Sequence, residues 1–420
     1  MKEIILKRIR LSNWKAKNLD VSFYDGVTTV SAKNEVGKSS LQQAWNWLFT
    51  SYTTPTAVRN SNLYDKRVPL SPDTPEASVT AWITIDGTEF TLERIAQPKF
   101  KRPRGEAEWI KDASDTYITK IDDFEVTATA FNDWVSEMIC PIDKIPFVLD
   151  GAFFTTLAIQ DKKAARVIIE DIVGGCSIEE LSGDYSKIAD RLAKHTPSEL
   201  REHIGSLMRP IKKRMDAIPS IIKSKEFVVQ DLENRYNRDK IHDKVLELSA
   251  IVAKDATKET ISELVRASMS LGIAEYAKVE REGIDLLKKE SKELAITLVE
   301  MEGEKALIEA LMEERADIVG TKINAILGNC RVQMFNTQVN GARVPDCIIT
   351  DYDGVNFDTL STSARLRVNL AIQDMFRKHC GVTMMTWIDE AGVFDEFHLP
   401  YPAGQVCYLY AGDSDTLVVV

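Results

Sequence analysis

With 420 residues, 44% of them hydrophobic and 28% charged, the chain has the composition of an ordinary soluble globular protein with room for two or three domains. No run of about 18 apolar residues offers a membrane span, and six scattered cysteines with no C-x-x-C argue against a metal site and for buried thiols in a reducing cytosol. The formal net charge of −11 excludes a surface coated with basic residues for nucleic acid, while a local basic groove stays compatible with it.

The first residues, MKEIILKRIRLSNW, lack the long apolar core and cleavage site of a secretory signal and read as a strand with Ile4, Leu6, Ile9 and Leu11 on its apolar face. LDVSF (19–23) alternates, and the β-branched GVTTV (26–30) runs straight into SAKNEVGKSSL. After Lys38 the period changes. Leu41, Ala44, Trp45, Leu48 and Phe49 recur at helical spacing and predict a helix with Trp45, Trp47 and Phe49 in the core. SVTAWITIDGTEFTLERI predicts a hairpin turning at Asp86-Gly87. QPKFKRPRGEAEW (97–109), rich in Pro and Lys/Arg, reads as an exposed tip, and TYITKIDDFEVTATAF as a second hairpin leading into the helical NDWVSEMI. FVLDGAFFTTLAIQDKKAARVIIEDIVGG is expected to form a strand, a turn and a helix ending at Gly174-Gly175.

From 176 to 320 strand signals vanish and charged helical sequence takes over. One run covers residues 196–237. Another carries Ile284, Leu287, Ser291, Leu294, Leu298, Met301 and Ile308 at approximate 3-4 spacing, a short and imperfect heptad seam. The two runs could pair as an antiparallel hairpin with arms of about 40 residues reaching roughly 60 Å; an ordinary helical subdomain is the alternative. After 320 strands return as CRVQMF, CIITDYDG, VTMMTWIDE, VCYLYAG and TLVVV, with the helix SARLRVNLAIQDMFRKHC among them. Neither flank has the strands for a complete sheet, so residues 1–175 and 321–420 are expected to assemble one α/β head around a helical insertion at 176–320.

Two segments carry chemistry. Residues 32–39, Ala32-Lys33-Asn34-Glu35-Val36-Gly37-Lys38-Ser39, follow G-x-x-x-x-G-K-[ST] with Ala at the first position. A chance Gly-Lys-Ser on a surface turn would not need a β-branched strand before it and an amphipathic helix after it; a phosphate cradle needs both. In that reading the amides of Glu35 to Ser40 line the cradle, Lys38 bridges the β- and γ-phosphates of ATP, and Ser39 ligates Mg²⁺. Ala32 is tolerable where glycine is usual if its φ stays negative. The second segment ends the apolar Val382–Ile388 with Asp389 and Glu390, the place for a carboxylate holding Mg²⁺ and a base that orients and deprotonates the attacking water. Alone, that pair would be equally a strand ending in two solvated acids.

A third segment, LSTSARLRVNLAIQDMF (360–376), resembles the signature of ABC-type ATPase heads of the SMC, SbcC, RecN and RecF group, L-S-G-G-[EQ]-[KR]-x-R-x-x-L-A, with Leu360, Ser361, Arg365, Arg367, Leu370 and Ala371 in register. Thr362-Ser363 stand where Gly-Gly is expected and Ala364 where Glu or Gln is expected. The order of cradle, helical insertion, signature and acidic strand resembles the same group, and NEVGKSSL is similar to the version in SbcC-like and phage-encoded members. The resemblance implies a cytoplasmic ATPase that dimerises head to head around two ATP molecules, with Ser361 and Ser363 of one subunit meeting the γ-phosphate held by the other. Asp150 falls where a metal-sensing glutamine is usual, with Gln160 as a more distant candidate, and CYLYAGDSD lacks the usual switch histidine. The missing C-x-x-C means that no zinc hook joins the arms. Double-stranded DNA and a nuclease of the SbcD type are the implied partners, and Lys99, Lys101, Arg102 and Arg104 around Phe100 are the local candidates for phosphate-backbone contact. The acidic charge and the altered signature keep open an alternative, a nucleotide-dependent regulator of a partner nuclease or toxin with little DNA affinity of its own.

Overall fold

The computed structural model describes all residues except 66, 103–108, 113, 339–342 and 395–397, so Arg104 lies outside the described residues. Strands β1 (Lys2–Trp14), β2 (Lys17–Ser22) and β3 (Val27–Ala32) lead into helix α1 (Lys38–Thr50). Then follow β4 (Ala77–Ile85), β5 (Thr88–Gln97), the two-residue β6 (Phe100–Lys101) and β7 (Ile110–Lys111), β8 (Thr116–Ile121) and β9 (Phe124–Val126). Four helices come next, α2 (Ala128–Met138), α3 (Ile145–Leu149), α4 (Ala152–Gln160) and α5 (Lys162–Ile172). The helical segment holds α6 (Ala189–Leu192), α7 (Pro197–Arg235), α8 (Arg238–Lys254) and α9 (Lys258–Ile326). The chain closes with β10 (Cys330–Thr337), β11 (Arg343–Asp351), α10 (Thr362–Cys380), β12 (Val382–Thr383), β13 (Thr386–Ile388), β14 (Val406–Ala411) and β15 (Val418–Val419).

These elements fall into two compact units, residues 1–180 with 315–420, and residues 181–314, a few residues inside the expected 176–320. In the first, a mainly antiparallel sheet runs β12-β1-β4-β5-β8-β9, with β2 also on β1. Its hairpins turn on Asp86-Gly87 and Asp122-Asp123, all with positive φ, which matches the twist of the flanking strands. A second sheet, β13-β14-β3-β15, is parallel through its first three strands. The loop after β3 and the acids after β13 therefore open at the same carboxyl edge, one strand apart, where open α/β sheets place their ligands. The two sheets are stitched by Gln405, 3% exposed, whose Oε1 accepts from the Leu6 amide at 2.8 Å and whose Nε2 donates to the carbonyls of Leu6 and Tyr24. Leu6 falls between the residues of β1 paired with β12, Lys2 and Glu3, and those paired with β2 from Arg8 onward, so Gln405 fills the gap.

Helix α1 is buried on nearly every side, with Leu41, Trp45, Trp47, Leu48 and Phe49 at 2% exposure or less. Each such side chain contributes roughly 1.5–3 kcal/mol on burial, which anchors α1 in the core from Leu41 onward. Arg94 supports its far end by donating to the Trp47 carbonyl at 3.0 Å, a cation at the negative pole of the helix.

Two expectations fail here. Phe147–Leu149 is the end of helix α3, not a strand: Pro146 sits in its first turn, and its apolar side chains are buried among helices, α10 and α1 among them. VTMMTWI is likewise not one strand. Val382–Thr383 pairs with β1 in the first sheet, and after Met384-Met385 the chain crosses to pair Thr386–Ile388 with β14 in the second.

In the unit of residues 181–314, α7 and α9 run antiparallel and are laced by Arg214–Glu290, Lys212–Glu302, Lys225–Glu280 and Arg281–Glu233. The heptad residues Ile284 and Ile308 are buried, and Leu298 and Met301 pack against a small core of Ile188, Leu200, Ile204, Met208 and Leu311. Glu314 accepts from the Ser182 and Gly183 amides and from the hydroxyls of Ser182 and Tyr185, which holds its carboxyl at a pKa of about 2. A carboxylate depressed in the folded state stabilises above its unfolded pKa, and that contribution fades as pH falls through the acid range toward about 2. Glu314→Gln is expected to flatten the acid limb of the melting temperature below pH 5, measured by thermal scans across pH; superimposable profiles would contradict it.

Candidate active site

The loop after β3 has the backbone an anion cradle requires. Ala32 ends β3 fully buried and is not among the residues with positive φ, whereas Glu35 at φ 67° and Gly37 at φ 124° both are. Gly37 also has little room: a Cβ would stand 3.0 Å from Leu19 Cδ1. Helix α1 starts at Lys38 with no side-chain cap on its first turn, where the Ser40 amide donates to the Gly37 carbonyl at 3.0 Å. Lys38 Nζ folds back onto the carbonyls of Ala32 at 2.6 Å and Lys33 at 2.8 Å. Lys33 is braced from the other side, its amide donating to the Ser414 carbonyl and its ammonium pairing with Asp415 at 2.9 Å.

A cavity of about 530 Å³ opens over this loop, lined by Asn34, Glu35, Gly37, Lys38, Ser39 and Ser40 and, from the facing strand end, by Asp389 and Glu390. Two segments some 350 residues apart in sequence thus face one space, placed there by β14 running parallel between their strands. Ala32, Lys33 and Val36 do not line it. Gln43, which sequence reasoning missed, does; it lies one turn into α1 beyond Ser39, and its amide side chain carried no motif signal. Asp389 is half-buried and Glu390 exposed, and the Glu390 amide donates to Asp389 Oδ1 at 3.0 Å. Glu390 itself sits in the left-handed region at φ 54° and ψ 37°, a conformation that costs a non-glycine residue about 1–3 kcal/mol. Glu35 on the loop side and Glu390 on the facing side both hold left-handed backbone angles at this cavity.

Asp150 lies elsewhere. It lines an adjoining cavity of about 160 Å³ with Asp389, Gln42, Gln373 and Trp387, accepting from the Ala152 amide at 2.8 Å and from Gln42 Nε2 at 3.3 Å. Burial pushes its carboxyl pKa up, against the pull of that amide and of Arg377. Only Asp389 is common to both spaces, and among the described residues no three His, Cys, Asp or Glu side chains converge as a metal cluster. Ser39 and Asp389 do supply oxygen donors to the larger cavity, a set suited to a hard divalent cation.

Ser361 caps α10, accepting from the Ala364 amide at 3.3 Å, and its hydroxyl meets that of Ser363 at 3.3 Å. Both lie outside the cavity of their own chain. Arg365 is turned back to the Phe357 and Asp358 carbonyls. Gln160 ends α4 and lines neither cavity. At the basic tip, Lys99 just before β6 and Lys101 within it both approach Asp112, at 4.0 and 3.6 Å, while staying more than half exposed. Arg102 follows directly at the end of that strand.

No family model matches the sequence, and no curated protein matches it. Among solved structures, the chain is similar to the Smc head domain with an extended coiled coil bound to the C-terminal domain of ScpA from Pyrococcus furiosus, at 11% identity over 99% of this chain and 96% of that one, with a TM-score of 0.42. It is similar also to the Smc head domain with a coiled coil and joint from Pyrococcus yayanosii (14% identity, 99% and 97% covered, TM-score 0.43). A third such structure is the recombination mediator protein RecF with ATP, at 13% identity over 98% and 93% of the two chains, with a TM-score of 0.36.

Proposed function

We propose that this chain binds ATP in the 530 Å³ cavity and hydrolyses it, two copies closing head to head on two nucleotides. The observation that carries the reading is the shared cavity: Lys38 and Ser39 on one wall, Asp389 and Glu390 on the other. Glycine-bent loop, helix start and lysine suit the triphosphate. Ser39 and Asp389 would hold Mg²⁺, which supplies charge neutralisation at the transferring phosphoryl group. Glu390 would accept the proton of the attacking water, and its strained backbone is the kind of outlier found where a side chain must be aimed. Ser361 and Ser363, at the exposed start of α10, would complete the partner copy's site.

The natural output of such a pair is a clamp on double-stranded DNA in repair, recombination or replication, with Lys99, Lys101 and Arg102 as backbone contacts and a nuclease as partner. The pairing of Lys99 and Lys101 with Asp112 favours a second reading in which DNA affinity is small and the nucleotide state governs a partner nuclease or toxin. Glu390→Gln keeps the shape and removes the base. It is expected to accumulate an ATP-bound dimer, measured by light scattering during gel filtration in Mg-ATP, while Lys38→Ala,Glu390→Gln stays monomeric. A Glu390→Gln protein that remains monomeric in saturating Mg-ATP would contradict the head-to-head arrangement.

A further inference from the structure

Helix α10 does more than present Ser361. On one face, Asn369, Gln373 and Arg377 follow one another at a spacing of four residues. The Asn369 side chain accepts from Thr155 Oγ1 at 3.0 Å. Gln373 Nε2 donates to the carbonyls of Leu149 at 2.5 Å and Val148 at 3.2 Å. Arg377, 4% exposed, donates from Nε to the Val148 carbonyl at 3.0 Å, from Nη1 to Thr386 Oγ1 at 2.5 Å and from Nη2 to the Met385 carbonyl at 3.1 Å.

These bonds have a common geometry. Val148 and Leu149 end α3, where carbonyls lack helical partners, and the next residue is Asp150. Met385 and Thr386 lie where the chain crosses from β12 to β13, and three residues on is Asp389. One guanidinium therefore holds the two backbone segments that deliver Asp150 and Asp389 to their common cavity. Among the described residues Arg377 forms no ion pair. A buried cation whose hydrogen bonds all go to neutral acceptors, with Asp374 and Asp150 acting on it only through space, is a poor device for stability, since apolar replacements of buried charges are often no less stable. Its forked donors are instead suited to fixing geometry.

We propose that Arg377 is a positioning residue for ATP hydrolysis, setting the Asp389 strand end against the Asp150 turn through Thr386 and Val148. The inference rests on the ATPase reading above. It separates from simple packing at Thr386, which is fully buried. Thr386→Val keeps the shape and removes the acceptor, whereas Thr386→Ser keeps the acceptor and removes a methyl group.

The test measures binding of a fluorescent ATP analogue, steady-state hydrolysis and melting temperature for the wild type and both variants. Thr386→Val is expected to keep its nucleotide affinity while kcat falls about 10- to 100-fold, the penalty of a small misplacement of catalytic groups. Thr386→Ser should keep kcat within about threefold of wild type, because the charged donor retains its partner. A valine variant that turns over as fast as the serine variant, or faster, overturns the proposal, because packing alone ranks them that way. Should Thr386→Val fail to fold, Arg377→Lys keeps the cation and removes the forked donors that reach Val148, Thr386 and Met385, and an unchanged kcat there overturns the proposal equally. A wild type that neither binds nor hydrolyses ATP defeats the ATPase reading itself, whereas normal wild-type turnover with indifferent variants defeats this inference alone.

Discussion

Gly151→Ala is expected to lower the stability of the residue 1–180 and 315–420 unit by about 3 kcal/mol or more, at the upper end of what overpacking costs. The reason is contact and not backbone conformation, since Gly151 has ordinary helical angles of φ −59° and ψ −19°. A Cβ at this position would stand 1.9 Å from the Asn369 carbonyl oxygen and 2.8 Å from its carbon, both backbone atoms of α10 that no rotamer change can move aside. Helices α4 and α10 would have to separate by roughly 1 Å or more to restore ordinary van der Waals contact. The bond between Thr155 and Asn369 resists that separation directly, and the bonds of Gln373 and Arg377 hold the adjoining end of α3 to α10. Gly205→Ala is the control, a glycine in α7 with nothing within 4 Å of its would-be Cβ, where alanine should stabilise by about 0.5–1 kcal/mol. Thermal or urea unfolding decides it: a Gly151→Ala protein as stable as wild type would mean that α4 and α10 do not approach so closely.

Lys38→Ala is expected to have the opposite profile, little change in stability and a large loss of nucleotide affinity. In the free protein Lys38 makes two bonds, to the Ala32 and Lys33 carbonyls, at a partly exposed loop whose shape is set independently by Gly37, by the buried α1 and by the Ser414 contact to Lys33. Truncation therefore leaves the fold in place. With triphosphate in the cradle, the same ammonium faces concentrated negative charge, and removing one partner of a desolvated charge pair costs about 2–5 kcal/mol. That is roughly 30- to several-thousand-fold in Kd. Titration calorimetry with Mg-ATP on both proteins measures it, and a variant that binds within about threefold of wild type would place the nucleotide elsewhere.

Several parts of this molecule can be read from the chain because local rules decide them. Asp86-Gly87 admits the left-handed angles of a tight hairpin, the spacing of Leu41 to Phe49 suits a helix, and Gly37-Lys38-Ser39 falls between a strand and a helix as its flanks predict. Other parts depend on partners far away in sequence. Phe147-Val148-Leu149 is apolar enough for a buried strand, and only its neighbours α1 and α10 make it a helix. The break at Met384-Met385 carries no glycine or proline; it follows from the first two strand residues pairing with β1 and the next three with β14. Gln373, Arg377 and Gln405 look in sequence like solvated polar residues, yet all three are less than 5% exposed and join elements more than 200 residues apart. The helical run at 196–237 forms the continuous α7, with Pro210 and Pro219 inside it and both exposed. The placement of Asp150 in a separate cavity had no local signal, because it depends on where α10 holds the end of α3.

Steady-state ATP hydrolysis by the wild-type chain, with and without linear double-stranded DNA and with Lys38→Ala as the blank, tests the central claim most directly. The shared cavity of Lys38, Ser39, Asp389 and Glu390 predicts turnover above that blank, and a clamp predicts that DNA raises it. Hydrolysis indifferent to DNA would move the function to control of a partner protein, and wild-type turnover no higher than that of Lys38→Ala would contradict the assignment of this cavity as an ATPase site.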